Sequence, residues 1–213
     1  MATLLMWIEA PMQSWGISSL FTDRDSTREP SKSGVIGLIC AALGRPREAD
    51  ISDLNTLRLG VRVDREGRLE NDFQTARNIL KSDKSNADAS AISTRYYLAD
   101  AAFLVGLEGE MDTLTQIQKA LKTPIWSLYL GRKAFPPSKP VYLQDGLNEE
   151  ELEISLCTYR LQPDDEEKRK RLVIEAEDGE FRRQDVPLNF AERTFLYRRV
   201  KVLYRECGEK GEW

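Results

Sequence analysis

The run Tyr129-Leu130-Gly131-Arg132-Lys133-Ala134-Phe135-Pro136-Pro137 concentrates residue types suited to holding a nucleic-acid backbone. An apolar stretch ends in a glycine, two cations follow, then an aromatic and two prolines. Gly131 permits positive φ or a close approach to a ligand. Arg132 and Lys133 can meet phosphates, the guanidinium through paired hydrogen bonds. Phe135 offers a face for base stacking, and the prolines stiffen the exit. Taken alone, the segment reads first as an ordinary surface loop with a C-cap glycine.

The rest of the chain narrows the chemistry by what it lacks. There is no histidine, which removes the commonest general base, the commonest transition-metal ligand and any Ser-His or Cys-His pair. HExxH, GxGxxG and GxxxxGK[ST] patterns are absent, so no metal or nucleotide cofactor is expected. The carboxylates sit mostly in solvated runs, and none looks tuned for acid-base work. Cys40, Cys157 and Cys207 are odd in number and lack metal-ligand spacing. They read as reduced, structural thiols of a cytosolic protein.

Holding such a loop in place requires a core, and the composition provides for one. Of 213 residues, 41% are apolar and four are tryptophan, enough for one large domain or two small ones. No apolar run is long enough to span a membrane, and Met1 to Pro11 lacks the basic n-region of a signal peptide. The chain is expected to be cytoplasmic. Its net charge of −4, from 31 basic and 35 acidic residues, is unusual for a nucleic-acid binder. The charge is segregated, however. Nine acids against one arginine fall between Asp145 and Glu167, and seven cations against two acids between Phe181 and Arg205. Two such flanks can face different partners or simply be solvated.

The elements follow from periodicity. Thr3 to Glu9 reads as a buried strand ended by Pro11, followed by a polar loop from Gln13 to Ser31. Ser33 is positioned to cap a helix whose apolar face runs from Val35 to Leu43, with Gly44 at its C′ position. Leu57, Leu59, Val61 and Val63 alternate as a strand, and Glu66-Gly67 turns into a second extended piece reaching Phe73. Thr75 to Thr94 is small, polar and too long for an ordinary connection, and is expected to form a protruding arm. Tyr96 to Leu107 resumes as a strand. Thr113 to Leu121 is a helix with Leu114, Ile117 and Leu121 on one face, and Val141 to Leu143 a final strand. Strand, helix, strand, strand, helix, strand is the split βαβ, or ferredoxin-like, order, an α+β class. The division is 1-146 for this domain and 147-213 for a small β-rich extension, with Glu151 to Leu161, Lys170 to Glu177 and Thr194 to Arg205 as strands. Pro163-Asp164-Asp165 and Asp178-Gly179 mark its turns.

Four segments together carry a resemblance. They are Ala10-Pro11-Met12-Gln13-Ser14-Trp15-Gly16, Pro30-Ser31-Lys32-Ser33-Gly34-Val35-Ile36-Gly37-Leu38, Tyr129-Leu130-Gly131-Arg132-Lys133 and Phe190-Ala191-Glu192-Arg193. In this order they resemble the CasD family, subunits of the subtype I-E Cascade complex, a CRISPR RNA-guided surveillance assembly. The resemblance extends from the N-terminus to about Arg205. It implies a ferredoxin-like (RAMP-type) fold with a glycine-rich loop and a protruding β-thumb. It implies a subunit that holds the 5′ handle of the guide RNA, caps the filament of backbone-forming subunits and docks the large subunit. Target DNA would be met only through the complex, and no membrane is involved. The guide precursor is cut elsewhere in this subtype, so the chain is expected not to be an enzyme. A metal-independent endoribonuclease using Tyr or Lys as base is the alternative, and a protein-interaction scaffold without RNA contact a third reading.

Carried over residue by residue, Gly131, Arg132 and Lys133 fall on the glycine loop and are assigned to phosphate contact. Gln13, Ser14 and Trp15 fall on the loop after the first strand, and Lys32 and Ser33 at the start of the first helix, where both places can face the RNA end. Ser33 and Gly34 could present free helix amides to a phosphate. Trp15 is equally readable as a core aromatic, and Ser33 as a plain N-cap. The arm matches the thumb by position, with Arg77, Lys81, Lys84 and Arg95 as its basic contacts. The Arg198-Arg199-x-Lys201 run faces RNA or the large subunit, or is a solvated strand face.

Overall fold

The computed structural model describes residues 1–17, 22–77, 90–160 and 169–207. Lys81, Lys84 and the Pro163-Asp164-Asp165 turn lie outside the described residues. The elements in chain order are β1 (Ala2–Glu9), β2 (Met12–Gln13), β3 (Asp23–Arg24), α1 (Lys32–Leu43), α2 (Ser52–Asn55), β4 (Arg58–Arg65), β5 (Arg68–Ala76), β6 (Ala91–Ala99), β7 (Ala102–Gly109), α3 (Met111–Lys122), β8 (Tyr142–Asn148), α4 (Leu152–Thr158), β9 (Arg169–Glu175), β10 (Phe181–Asn189) and β11 (Thr194–Glu206).

Among the described residues, seven strands form one antiparallel sheet in the order β10-β11-β9-β4-β7-β1-β8. Strand alternation sends side chains to opposite faces, and both faces of the central strands are covered. Leu4, Met6 and Ile8 of β1, Phe103, Val105 and Leu107 of β7, and Leu59, Val61 and Val63 of β4 pack with α1 and α3 residues in one core. Leu5, Trp7, Leu104, Leu172 and Ile174 pack with Leu152 and Leu156 of α4 in the other. Gly60 and Gly106 are directly paired across β4 and β7. A Cβ on either would meet α4 leucine side chains at 2.8 or 2.6 Å, so the two glycines make the groove in which α4 lies.

Helix α1 ends as its sequence indicates, with Gly44 at φ 69°. Its N-cap is Ser31 rather than Ser33, since the Ser31 hydroxyl accepts from the Gly34 amide at 3.3 Å. In α3, Leu114, Ile117 and Leu121 are the buried face. The Glu66-Gly67 turn joins β4 to β5, with Gly67 at φ 66°.

Three readings are corrected. The extended piece from Tyr96 to Leu107 is two strands in two sheets: β6 ends at Ala99, Asp100 takes φ 57° and β7 begins at Ala102. The expected strand from Glu151 to Leu161 contains α4 instead. Leu152, Ile154 and Leu156 mimic strand alternation, but the buried residues are Leu152, Ser155, Leu156 and Cys157, of which the first three have the i, i+3, i+4 spacing of a helix. Two distant side chains complete its ends. Glu108 accepts from the Leu152 amide at 3.1 Å, and buried Arg62 donates to the Leu156 and Tyr159 carbonyls at 2.5 and 2.7 Å. The C-terminal strands also do not stand apart, because β9 pairs with β4 and continues the main sheet.

A second, smaller sheet carries the arm. β5 and β6 pair over nine residues, from Arg68↔Ala99 to Ala76↔Ala91. The opposite edge of β6 is met by β2 at Leu98-Ala99 and by β3 at Thr94-Arg95. Of the arm expected over residues 75–94, residues 78–89 lie outside the described residues and the two ends continue the β5–β6 ladder that runs to 68 and 99, while β2 and β3, from the segment after β1, add two short strands to this sheet.

Candidate nucleic-acid interface

The glycine loop is built against the segment after β1. The Ser14 amide donates to the Leu130 carbonyl (3.1 Å), the Leu130 amide to Phe135 (2.8 Å) and the Phe135 amide to Arg132 (2.8 Å). Gly131 has φ 85°, a region costly for other residues. A Cβ there would lie 1.7 Å from the Ser14 carbonyl oxygen. The close approach that requires glycine is thus to the chain's own backbone.

Arg132 reaches from this loop to the base of the hairpin. Its guanidinium donates to the Tyr96 carbonyl at 2.7 Å and to Asp72 at 3.4 Å, and lies 5.2 Å from the Phe135 ring centre. Burial pulls its pKa below the ordinary arginine value, Asp72 opposes this, and nearby Arg95 and Arg24 lower it further. Phe135 is itself buried, with one neighbour in Tyr97 at 6.1 Å. Its expected role as a stacking platform is corrected: Arg132 already sits on its ring, and the aromatic anchors the loop.

Around this post lies a cationic face. Arg24 on β3 is in register with Arg95 on β6, and Arg95 with Asp72 on β5. Arg95 is half-buried and donates to the Ser93 hydroxyl at 3.0 Å, while Arg24 and Lys133 are exposed. Lys133 has no ion-pair partner among the described residues. Arg24 and Arg95 are close enough to Arg132 for their charges to lower its pKa, and an anion such as a phosphate relieves that repulsion. Arg77 is exposed at the end of β5, farther along the hairpin. Arg24 escaped the sequence reading because nothing in the polar loop marks it. A short parallel pairing with β6, invisible to local pattern, brings it to Arg95.

The other candidates lie inside. Gln13 is fully buried, donating to the Ala101 carbonyl at 2.7 Å and accepting from the Trp15 indole at 3.1 Å. Trp15 is 1% exposed and packs under α1, where a Cβ on Gly34 would meet its ring at 2.6 Å. Lys32 is 2% exposed and paired with Glu175 at 2.9 and 3.0 Å. Its pKa is lowered by burial against the pull of Glu175. The α1 amino end is occupied too: the Lys32 amide donates to Asp185 at 2.8 Å, and Ser33, half-buried, contacts the Ser31 hydroxyl at 3.4 Å. For Gln13, Trp15 and Lys32 the expectation of a side chain facing RNA is corrected to an internal one, since each polar group already has a protein partner. Arg198 is likewise no solvated strand residue but is buried against Asp185 at 2.7 and 2.9 Å. Among the described residues, no histidine, cysteine or carboxylate group is arranged to hold a metal ion.

The relatives of the chain converge on one family. A family model described as CRISPR-associated protein (Cas_Cas5) matches residues 3–201. The chain belongs to that family. It is 30% identical over 156 residues to "CRISPR system Cascade subunit CasD" of Escherichia coli (strain K12), covering 66% of this chain and 69% of that protein. Among solved structures, "Crystal structure of Cas protein" superposes with TM-score 0.79 at 43% identity, covering 96% of this chain and 95% of the other. A chain from "CRISPR RNA-guided surveillance complex" does so with TM-score 0.81 at 31% identity, covering 96% and 90%. Both solved structures share the mixed α/β architecture of this chain, whose main sheet is antiparallel.

Proposed function

We propose that this chain is a non-catalytic subunit of a cytoplasmic CRISPR RNA-guided surveillance (Cascade) complex. It binds the 5′ handle of the guide RNA, caps the filament of backbone-forming subunits and helps to dock the large subunit. Family membership and the likeness to a Cascade subunit support the assembly role. The ferredoxin-like reading is supported by the strand order β8-β1-β7-β4, with α1 between β1 and β4 and α3 between β7 and β8.

The observation that carries the RNA role is the grouping of Arg24 and Arg95 beside the Arg132 post, with exposed Lys133 next to Arg132 in the loop. Exposed Arg24 and Lys133 and half-buried Arg95 can contact phosphates, which position a strand without reading its sequence. The handle is then held by backbone charge at the hairpin base. Arg132 keeps loop and hairpin in register while retaining its own charge. The whole chain is acidic, so the isolated subunit is expected to bind RNA weakly and the assembled complex tightly. A 4-thiouridine in the handle should crosslink to this face in the complex. Crosslinks only to other subunits would overturn the handle assignment.

The absence of histidine supports a non-cleaving role, since it removes the commonest general base. Incubating the purified chain with repeat RNA should leave the RNA whole. A discrete cleavage product would favour the endoribonuclease alternative.

A further inference from the structure

Three cysteines that are far apart in sequence have different fates in the fold. Cys40 is buried in α1, on one side of the sheet. Cys157 lies buried in the last turn of α4, and Cys207 follows β11 and is partly exposed, both on the other side. The Cys157 and Cys207 sulfurs are 2.9 Å apart. A disulfide bond is about 2.05 Å long, so bonding asks for an approach of less than about 1 Å. The two supports are well held: β11 pairs with β9 from Val200 to Glu206, and α4 lies in its glycine groove. Cys157 lines a surface cleft of about 290 Å³ together with Arg58, Glu153 and Arg205, and the partly exposed Cys207 is the sulfur a small reagent meets.

The thiols differ in reactivity. The Cys207 thiol is drawn below its ordinary pKa, first by its hydrogen bond with Cys157; burial and Asp64 oppose this, and the positive charges of Arg62 and Lys170 reinforce it. That same hydrogen bond, and then burial, push Cys157 up. The accessible sulfur is therefore the better nucleophile, and the buried one the resolving partner.

We propose that Cys157 and Cys207 form a reversible redox-modification site, closing to an intramolecular disulfide on exposure to a small-molecule disulfide such as oxidised glutathione. The Cys207 thiolate attacks one glutathione sulfur, breaking the S–S bond and releasing one glutathione thiolate, which takes up a proton. Cys157 then loses its proton to solvent and attacks the Cys207 sulfur, releasing the second glutathione. Two protein thiols are oxidised by two electrons, and the reagent is reduced to two thiols. The bond ties the end of β11 to α4 across a separation of 50 residues.

The test uses the purified full chain. It is incubated under native conditions with oxidised glutathione, free thiols are alkylated, and the protein is digested without reduction. The expected result is a linked Cys157–Cys207 peptide pair, an alkylated Cys40, and a Tm raised by roughly 5–10 °C that dithiothreitol reverses. In Cys207→Ser, at the strand end where little packing is lost, both the linked pair and the Tm rise should vanish. Alkylation of both Cys157 and Cys207 in the wild-type chain, or a persistent glutathione adduct on Cys207, would overturn the proposal.

Discussion

The base of the hairpin and the amino end of α1 present the same local chemistry and use it in opposite ways. Each sets lysine or arginine beside a glycine-containing turn or helix start. At α1, every charge is answered from within: Lys32 by Glu175, the Lys32 amide by Asp185, and Asp185 in turn by Arg198. At the hairpin base, Arg24, Arg95 and Arg132 are brought together with Asp72 as the carboxylate bonded to Arg132. The first region is neutralised and buried, so each of its charges is needed to balance another. The second keeps excess positive charge at the surface, where it is available to a partner. Local composition does not separate a structural ion pair from a binding surface. The separation lies in whether the tertiary fold supplies the counter-charge.

The sharpest way to break this comparison is to remove one member of the closed set. Lys32→Ala should lower stability by about 3 kcal/mol, the lower end for a broken buried pair, because Glu175 loses its ammonium partner and is left with Arg198 at 3.8 Å and the Leu59 amide. Lys32→Met with Glu175→Leu should recover most of it, measured by urea unfolding. A Lys32→Ala chain as stable as the parent, yet defective in RNA retention, would invert the assignment. Gly131→Ala comes next. The Cβ collides with the Ser14 backbone, so a loss of about 2–3 kcal/mol is expected, with loosened packing of the loop against the hairpin.

At the open face the expected effects move from stability to binding. Arg24→Ala, Arg95→Ala and Lys133→Ala combined should change stability by no more than about 1 kcal/mol. In the assembled complex, the same triple variant should reduce the slope of log affinity for guide RNA against log salt by about 2, near 0.7 per lost phosphate contact on a single strand. An unchanged slope in a folded variant would place the guide elsewhere.

The smallest effect concerns Glu9, at the end of β1. Burial raises its pKa, but hydrogen bonds from Lys139, Trp7 and Arg65 outweigh burial and hold it at about 2, against 4.5 for a free side chain. A carboxyl depressed in the folded state contributes stability above the unfolded pKa and loses it as protons bind. Stability should therefore fall as pH drops from about 4.5 toward 2, and Glu9→Gln should flatten that part of the profile. A parallel profile in the variant would show that the Lys139 and Arg65 contacts do not favour the ionised form.

Much of the scaffold was legible from local pattern. The β1 run, the α1 face closed by Gly44, the α3 stripe of Leu114, Ile117 and Leu121, and the turns at Glu66-Gly67 and Asp178-Gly179 depend on periodicity and on residues that tolerate tight backbone geometry. The glycine loop was legible as a loop, and so were its cations. The site itself was only partly so. Phe135, Gln13, Trp15 and Lys32 looked available because sequence shows which groups a residue has and not which of them are already bonded.

Sequence alone therefore determined the periodic elements, the absence of imidazole chemistry, and the segment in which glycine and cations coincide. Tertiary structure decided three other things: that Lys32 is closed off by Glu175, that Arg24 joins Arg95 and Arg132, and that Cys157 meets Cys207 across 50 residues of chain. The physical reason is range. Backbone propensity and side-chain periodicity act over a few residues, whereas charge neutralisation, burial and thiol proximity depend on strand pairings that connect distant parts of the chain.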